Sequence, residues 1–487
     1  MTKLVISNID EAYVQVACDD GISYELREAF TFDVPGAKFS PQYKSRLWDG
    51  KIRLWNVNTK RIYRGLVPKV VEFAEERDYT WSYDNEIYDE ELSVAEALEF
   101  IKTLNLPPHI EVRDYQLEAF IHAIRTRRSL LLSPTASGKS LIIYLIVRYL
   151  HDKHYSGKSL IIVPTISLVA QLASDFADYG FESDKHIHRI TAGVDKQSDK
   201  PITISTWQSI YELPKKYFGP YQAVIGDEAH QFKAKSLTDL MTNLSNAKFR
   251  VGTTGTLDGT KTHKLVLEGL FGTVRKVTTT KELMDQKHLA EFQIKVLLLK
   301  HHPSICQAAK DYKYQQEIEY LILNEARNKF ITNLALSLEG NTLILFQYVE
   351  KHGKILHAML KDKGKKVFYV SGETEGVVRE DIRKIVETEK NAIIVASFGT
   401  FSTGINIRNL HNIIFASPSK SRIRNLQSIG RGLRKSDTKD AATLYDIADD
   451  MRHKAHENYT LKHLAERIKV YNEEKFKFKI YKIELKG

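Results

Sequence analysis

At 487 residues the chain is too long for one ordinary core, and two to four domains are expected. Hydrophobic residues make up 43% and charged residues 27%, normal for a soluble globular protein with ample material for a packed α/β interior. Lys and Arg outnumber Asp and Glu by 71 to 61, an excess that suits a polyanionic partner without proving one. The two cysteines, Cys18 and Cys306, exclude a C-x-x-C motif and argue against a disulfide framework, which points to a reducing compartment. The opening MTKLVISNID meets acids too early for a signal peptide, and no apolar run reaches membrane-spanning length. A cytoplasmic location follows as an expectation.

The first elements read as a small α+β domain. Glu11–Cys18 partly alternates as a strand does. Asp49-Gly50, between Leu47-Trp48 and KIRLW, is a hairpin turn signal. Val67–Arg77 has helical spacing. Residues 38–69 hold nine Lys or Arg and one acid, whereas residues 72–99 hold eleven acids and one base. That reversal marks a basic domain, expected over 1–95, that ends in an acidic helix or linker. Lys51, Arg53, Lys60 and Arg61 are candidate phosphate contacts within it. Tyr43, Trp48 and Trp55 suit base stacking, but tryptophans in so small a domain more often belong to the core.

From about residue 110 short apolar strands alternate with amphipathic helices: SLLLS, SLIIV, PITIST and AVIGDE, each followed by helical spacing. This is the βαβ rhythm of a parallel sheet. It resumes at TLILF (342–346), KVFYV (366–370), AIIVAS (392–397) and NIIFAS (412–417). Two α/β domains in series are expected, over 96–283 and 284–455, with 257–330 hard to place. The remainder, 456–487, reads as a helix followed by FKFKIYKIEL, an edge strand protected by lysines.

SPTASGKS, Ser133 to Ser140, ends like a phosphate-binding loop but has serine where the pattern begins with glycine. It follows an apolar strand and precedes a helical run, the context such a loop needs. The backbone of Ser133, Pro134, Thr135, Ala136, Ser137 and Gly138 would cradle phosphate oxygens at a helix N-terminus. Lys139 would reach the β and γ phosphates and Ser140 would hold magnesium. DEAH follows the strand AVIG, 88 residues after Lys139. There Asp227 would take the magnesium side and Glu228 would orient or deprotonate the attacking water. A lone DEAH is usually a solvated helix start; its placement after the loop makes the difference. QSIGRGLR (427–434) puts Arg431 and Arg434 three apart, able to reach a γ phosphate from a second domain, although alone they would read as surface arginines.

Further pieces fall in order. Gln116 of RDYQ could read an adenine edge. Pro164 and Thr165, then Thr206, Trp207 and Gln208, end strands on one side of the first sheet. Ser371 and Gly372, then Ser397 and Thr400, do so in the second domain. Hydroxyls and N–H groups at such ends suit phosphate contacts that position a strand without reading its sequence.

Over about residues 110–450 this order of motifs resembles the helicases and translocases of superfamily 2. FSPQYKSRLWDGKIRL (39–54) and Arg64-Gly65-Leu66 extend the likeness to phage helicases that remodel branched DNA. The resemblance implies two RecA-like P-loop domains in tandem behind a small N-terminal α+β domain. It implies ATP and Mg²⁺, a site of Lys139, Ser140, Asp227, Glu228, Gln427, Arg431 and Arg434 with Gly404 beside the nucleotide, and a monomer acting on branched or forked DNA or an RNA–DNA hybrid. Three positions depart from the pattern: Ser133, Gly255 where alanine is commoner, and Asn406 where many relatives have Asp. An RNA helicase, a duplex translocase that separates no strands, and a branch-binding protein with a dead ATP site are the alternatives.

Overall fold

The alternating apolar runs fold into two all-parallel seven-stranded sheets, preceded by a small mixed sheet. The computed structural model describes residues 3–84, 91–153, 157–191, 193–257, 259–404, 407, 409–417, 419, 421–433 and 441–485. Two units divide the chain: residues 1–133 with 138–278, and residues 134–137 with 279–487. Among the described residues no helix is long and apolar enough to cross a membrane.

The N-terminal sheet has the order β5-β2-β1-β6, built from β1 (Lys3–Asn8), β2 (Tyr13–Ala17), β5 (Arg61–Tyr63) and β6 (Thr80–Asp84). β3 (Thr31–Asp33) and β4 (Lys51–Arg53) form a separate antiparallel pair. This corrects the hairpin expected at Asp49-Gly50, because the partner of β4 is not Leu47-Trp48. The N–H groups of Leu47 and Trp48 turn back to the Gln42 carbonyl, so neither can join a ladder. The Asp49 carboxylate accepts from the Lys51 N–H and pairs with Arg53. Asp49 therefore caps the start of β4 instead of turning a hairpin.

The first parallel sheet runs β13-β7-β12-β11-β8-β10-β9. Its strands are β7 (Arg128–Leu132), β8 (Lys158–Val163), β9 (Ile187–Ile190), β10 (Ile202–Thr206), β11 (Tyr221–Asp227), β12 (Phe249–Thr254) and β13 (Val274–Lys276). Strand periodicity sends alternate residues to opposite cores. Leu131, Ile161 and Ile225 join Ile142, Leu145 and Phe176. Leu130, Leu160 and Val224 join Leu240, Leu270 and Phe271, and this second core runs on into Leu4, Val14, Leu66 and Val70 of the N-terminal domain.

The two layers of this unit are welded at close range. A Cβ at Gly65 would stand 2.1 Å from the Glu268 carbonyl, and one at Gly269 would press on the Tyr63 ring at 2.9 Å. Glu11 bridges Arg64 at 2.8 Å and Arg128, the first residue of β7, at 2.5 Å. Burial pulls the Arg128 guanidinium pKa down, and Glu11 opposes that shift. Removing one partner of such a group leaves the rest uncompensated. Glu11→Ala is therefore expected to cost about 3–5 kcal/mol, read as a lower urea midpoint for this unit. An unchanged midpoint would show that water replaces the carboxylate there.

The second unit has the order β16-β17-β15-β18-β19-β14-β20. Its strands are β14 (Glu291–Lys300), β15 (Thr342–Phe346), β16 (Val367–Val370), β17 (Ile393–Ser397), β18 (Asn412–Phe415), β19 (Ala441–Asp450) and β20 (Lys477–Glu484). β20 lies on the sheet edge beside β14, with Lys477, Lys479 and Lys482 exposed, which is the edge strand read from the sequence. β19 carries buried carboxylates. Asp446 meets Arg467 and Tyr471, and Asp449 meets Arg327 and His301. Burial pushes Asp449 up, but Arg327 and His301 outweigh it and hold the carboxyl at about 2.

Candidate nucleotide and nucleic-acid site

Parallel strands end at one edge, and the crevice outside those ends is where open α/β sheets bind ligands. In the first sheet the loop 133–138 leaves the end of β7, Asp227 closes β11, and Thr253 and Thr254 close β12.

Ser133 is fully buried and its N–H donates to the Thr254 carbonyl at 2.9 Å. The left-handed torsions of the loop fall at Ala136 (φ 65°) and Gly138 (φ 78°), not at Ser133. The backbone at Ser133 therefore does not require the glycine of the usual pattern. Ser137 Oγ closes the loop on the Pro134 carbonyl at 2.7 Å, and Thr135 lies between them. Gly138 caps the helix Lys139–Asp152, and a Cβ there would strike Gln116 Nε2 at 2.3 Å. Gln116 is 2% exposed; its Oε1 accepts from the Arg113 N–H and its Nε2 donates to the Gly138 carbonyl at 3.4 Å. The side chain tied to the loop is the one expected at the base. Lys139 Nζ donates to the Ser133 carbonyl at 3.5 Å, and Ser140 Oγ lies 2.9 Å from the Tyr179 hydroxyl.

Asp227 is held by Thr253 Oγ1 at 2.8 Å and by the Glu228 N–H at 2.9 Å. Burial raises its pKa first and the Glu228 charge raises it further; Lys139 and the two hydrogen bonds pull it down without cancelling the rise. Glu228 takes a left-handed torsion (φ 48°), and its Oε2 lies 3.3 Å from His230 Nδ1. The same nitrogen is 3.1 Å from Thr254 Oγ1, which accepts from the Thr256 N–H. Gly255, between these threonines, takes no left-handed torsion, so the backbone there would accept alanine. This edge gathers a cation, Lys139 at the start of a helix, and two carboxylates, Asp227 and Glu228, a charge set that suits magnesium and phosphate.

A carboxylate with a raised folded-state pKa binds its proton more tightly folded than unfolded. Ionising it therefore costs stability, lost as pH rises from the unfolded-state pKa to the folded one, and that cost disappears below the unfolded value. Asp227→Asn is expected to abolish turnover yet raise the melting temperature of the nucleotide-free protein, by about 2–4 °C for each kcal/mol relieved. Scanning calorimetry above pH 7 checks it, and a lower melting temperature would show that Lys139 dominates instead.

Other sequence-marked residues at this edge are Pro164 and Thr165 after β8, Thr206 at the end of β10, and Trp207 and Gln208 in the following turn. Thr165 caps the helix Ile166–Asp178, and Thr206 Oγ1 lies 2.9 Å from Ser209 Oγ. Gln208 is exposed, whereas Trp207 is half-buried against Tyr211. In the second unit Ser371 and Gly372 follow β16, and Ser397 Oγ at the end of β17 donates to Thr400 Oγ1 at 2.8 Å. Gly404 ends the helix Phe398–Gly404, while Gln427 and Arg431 stand four apart on the helix Arg422–Gly432. Arg434 and Asn406 lie outside the described residues.

The basic candidates separate. Lys51 is exposed, and Arg53 pairs with Asp49. Arg61 lies over the Tyr13 ring at 4.7 Å. Lys60 is tied to the Cys18 carbonyl at 2.7 Å and to Asp20 at 3.2 Å, so it serves the domain's own fold. Arg53 and Arg61 instead face a cleft of about 590 Å³ together with Arg27, Lys233 and Lys235, and no carboxylate among the described residues lines it. Lys233 and Lys235 were not singled out from the sequence, although they stand three and five residues after His230. Trp55 is core, its Nε1 donating to Ser23 Oγ at 3.2 Å.

Three family models match the chain: the N-terminal domain of the DNA helicase UvsW over residues 4–84, the res subunit of type III restriction enzymes over 109–259, and the helicase conserved C-terminal domain over 326–436. The chain is 35% identical to the ATP-dependent DNA helicase uvsW of Enterobacteria phage T4, over 98% of each protein. It is 23% identical to the DNA 3′–5′ translocase XPB2 of Sulfurisphaera tokodaii, over 67% of this chain and 80% of that one. The crystal structure of T4 UvsW matches with a TM-score of 0.54 at 34% identity, covering 99% of this chain and 100% of that one.

Proposed function

Because this chain belongs to the UvsW family of superfamily 2 helicases, we propose that it couples ATP hydrolysis to the remodelling of branched DNA: forks, four-way junctions and displacement loops. It is an ATP-hydrolysing DNA helicase. The observation that carries the finer reading is the identity running through the N-terminal domain as well as the motor.

In this reading the amides of Thr135, Ala136 and Gly138, with Lys139, bind the nucleotide phosphates, and Gln116 fixes the loop and meets the base. Ser140 and Asp227 would hold magnesium, which would supply positive charge to the phosphate oxygens. Glu228, set beside Asp227 and oriented by His230, takes the proton of the attacking water. Gln427, Arg431 and Arg434 are assigned to the γ phosphate by their place in the motif order. The threonines and serines at the strand ends bind the DNA backbone, as does the basic cleft.

Lys139→Ala is expected to lower ATP turnover at least about a hundredfold while DNA binding persists. Normal hydrolysis in that variant would sink the site assignment. Hydrolysis should be stimulated most by a four-way junction, less by linear duplex and single strands; strongest stimulation by structured RNA would overturn the substrate and leave the motor intact.

Each neutralised phosphate contributes a slope of about −0.9 to log affinity against log salt. Neutralising Arg53, Arg61, Lys233 and Lys235 together should therefore weaken duplex binding and flatten that slope by about one for every phosphate that these side chains engage. An unaltered slope in a fluorescence-anisotropy titration would remove the cleft from the DNA path.

A further inference from the structure

The segment between β3 and β4, residues 34–50, is an ordered excursion that shows apolar side chains to water. Its base is closed by the Val34 N–H on the Gly50 carbonyl at 2.8 Å. Ser40 caps the turn Pro41–Lys44, accepting from the Tyr43 N–H at 3.2 Å. Leu47 and Trp48 return to the Gln42 carbonyl, and Trp48 Nε1 donates to the Lys51 carbonyl at 2.9 Å. Gly50 (φ 79°) lets the Tyr43 ring close in, since a Cβ there would stand 3.0 Å from it. Within this fixed frame Phe39 is 72% exposed, Leu47 83% and Tyr43 40%.

Single exposed apolar residues are ordinary on a protein surface. Here two large ones stand on one short excursion that is held together by hydrogen bonds and by Tyr43 and Trp48, so its fold does not depend on them. The surroundings select the partner. Residues 36–51 carry Lys38, Lys44, Arg46 and Lys51 against a single carboxylate, Asp49, which is taken up by Arg53. Lys38 Nζ stands 5.6 Å from the Phe39 ring. A protein partner would match the apolar tip alone, whereas nucleic acid matches both features: bases offer flat apolar faces and the backbone offers phosphates on either side. Proteins that kink or open duplex insert Phe or Leu between base steps in this way.

We infer that residues 34–50 form a base-stacking wedge: Phe39 and Leu47 enter the opened step at a DNA branch while Lys38, Lys44, Arg46 and Lys51 hold the flanking phosphates. The inference rests on the branched-DNA reading above and adds the element that contacts the branch point itself. The test is the full-length double variant Phe39→Ser with Leu47→Ser. Both side chains are solvent-exposed, so the fold should survive, and ATP hydrolysis on linear duplex should stay within twofold of wild type. ATP-driven opening of a four-way junction should fall at least tenfold. The fluorescence rise of 2-aminopurine placed at the branch, expected when the wild-type protein binds, should be absent. The pair Phe39→Tyr with Leu47→Met, which keeps stacking and apolar bulk, should restore both readouts. Wild-type opening and fluorescence in the serine variant would overturn the wedge and leave a protein ligand as the occupant of the tip. Failure of the wild-type protein to open any junction would instead overturn the branched-DNA reading, and the wedge with it.

Discussion

The burial of Asp227 is the constraint around which the first α/β domain is arranged. A carboxylate at the end of an inner strand loses its water and needs donors, and the Thr253 hydroxyl and the Glu228 amide supply two. Both depend on register: β11 and β12 are parallel, with Asp227 opposite Thr253. The register is narrow because Gly226 lets Phe271 and Phe232 close on the strand; a Cβ there would meet them at 2.7 and 2.8 Å. The remaining need is for positive charge. Lys139, at the start of the helix after β7, answers part of it without cancelling the effect of burial and of the Glu228 charge.

The N-terminal domain is not an appendage on this unit. It shares a core with the first parallel sheet, and its contact surface includes glycines that admit backbone at van der Waals range or closer than a side chain would allow. Glu11 reaches Arg128 at the start of the strand that leads to the phosphate loop. Whatever the N-terminal domain grips is therefore carried with the ATP-binding sheet as one body.

Much of this was legible in the sequence, and the failures have physical reasons. The phosphate loop, DEAH and the apolar strands could be read because their chemistry is local: one strand, one turn, one helix. Ser133 caused doubt only because pattern spelling does not say which position needs a positive φ; the structure puts that need at Ala136 and Gly138. β19 escaped notice because ATLYDIADD looks like a polar loop, and only the distant Arg327, His301, Arg467 and Tyr471 make its carboxylates buriable. Asp49-Gly50 misled because turn propensity is silent about the strand partner, which lies well upstream at Thr31–Asp33. Lys60 looked like its neighbours in a basic run, yet its φ of 47° and its bond to the Cys18 carbonyl tie it to the fold. Charge is visible in a sequence; the direction in which it points is not.

The placement of Lys233 and Lys235 bears on how hydrolysis would reach DNA. From Asp227 to Lys235 the chain runs through Glu228 in a left-handed torsion, the short turn Ala229–Gln231 and the start of the helix Lys235–Asn243. Ala229 and Phe232 are buried, so this segment has little slack. Its one end carries the carboxylates Asp227 and Glu228, and its other end faces the basic cleft. His230 ties the middle to Thr254 at the end of β12. Asp227 and Glu228 are thus joined to the cleft by one short segment whose buried and hydrogen-bonded residues hold it in place. The contact that joins this segment to the end of β12 is made by Thr254, not by Gly255.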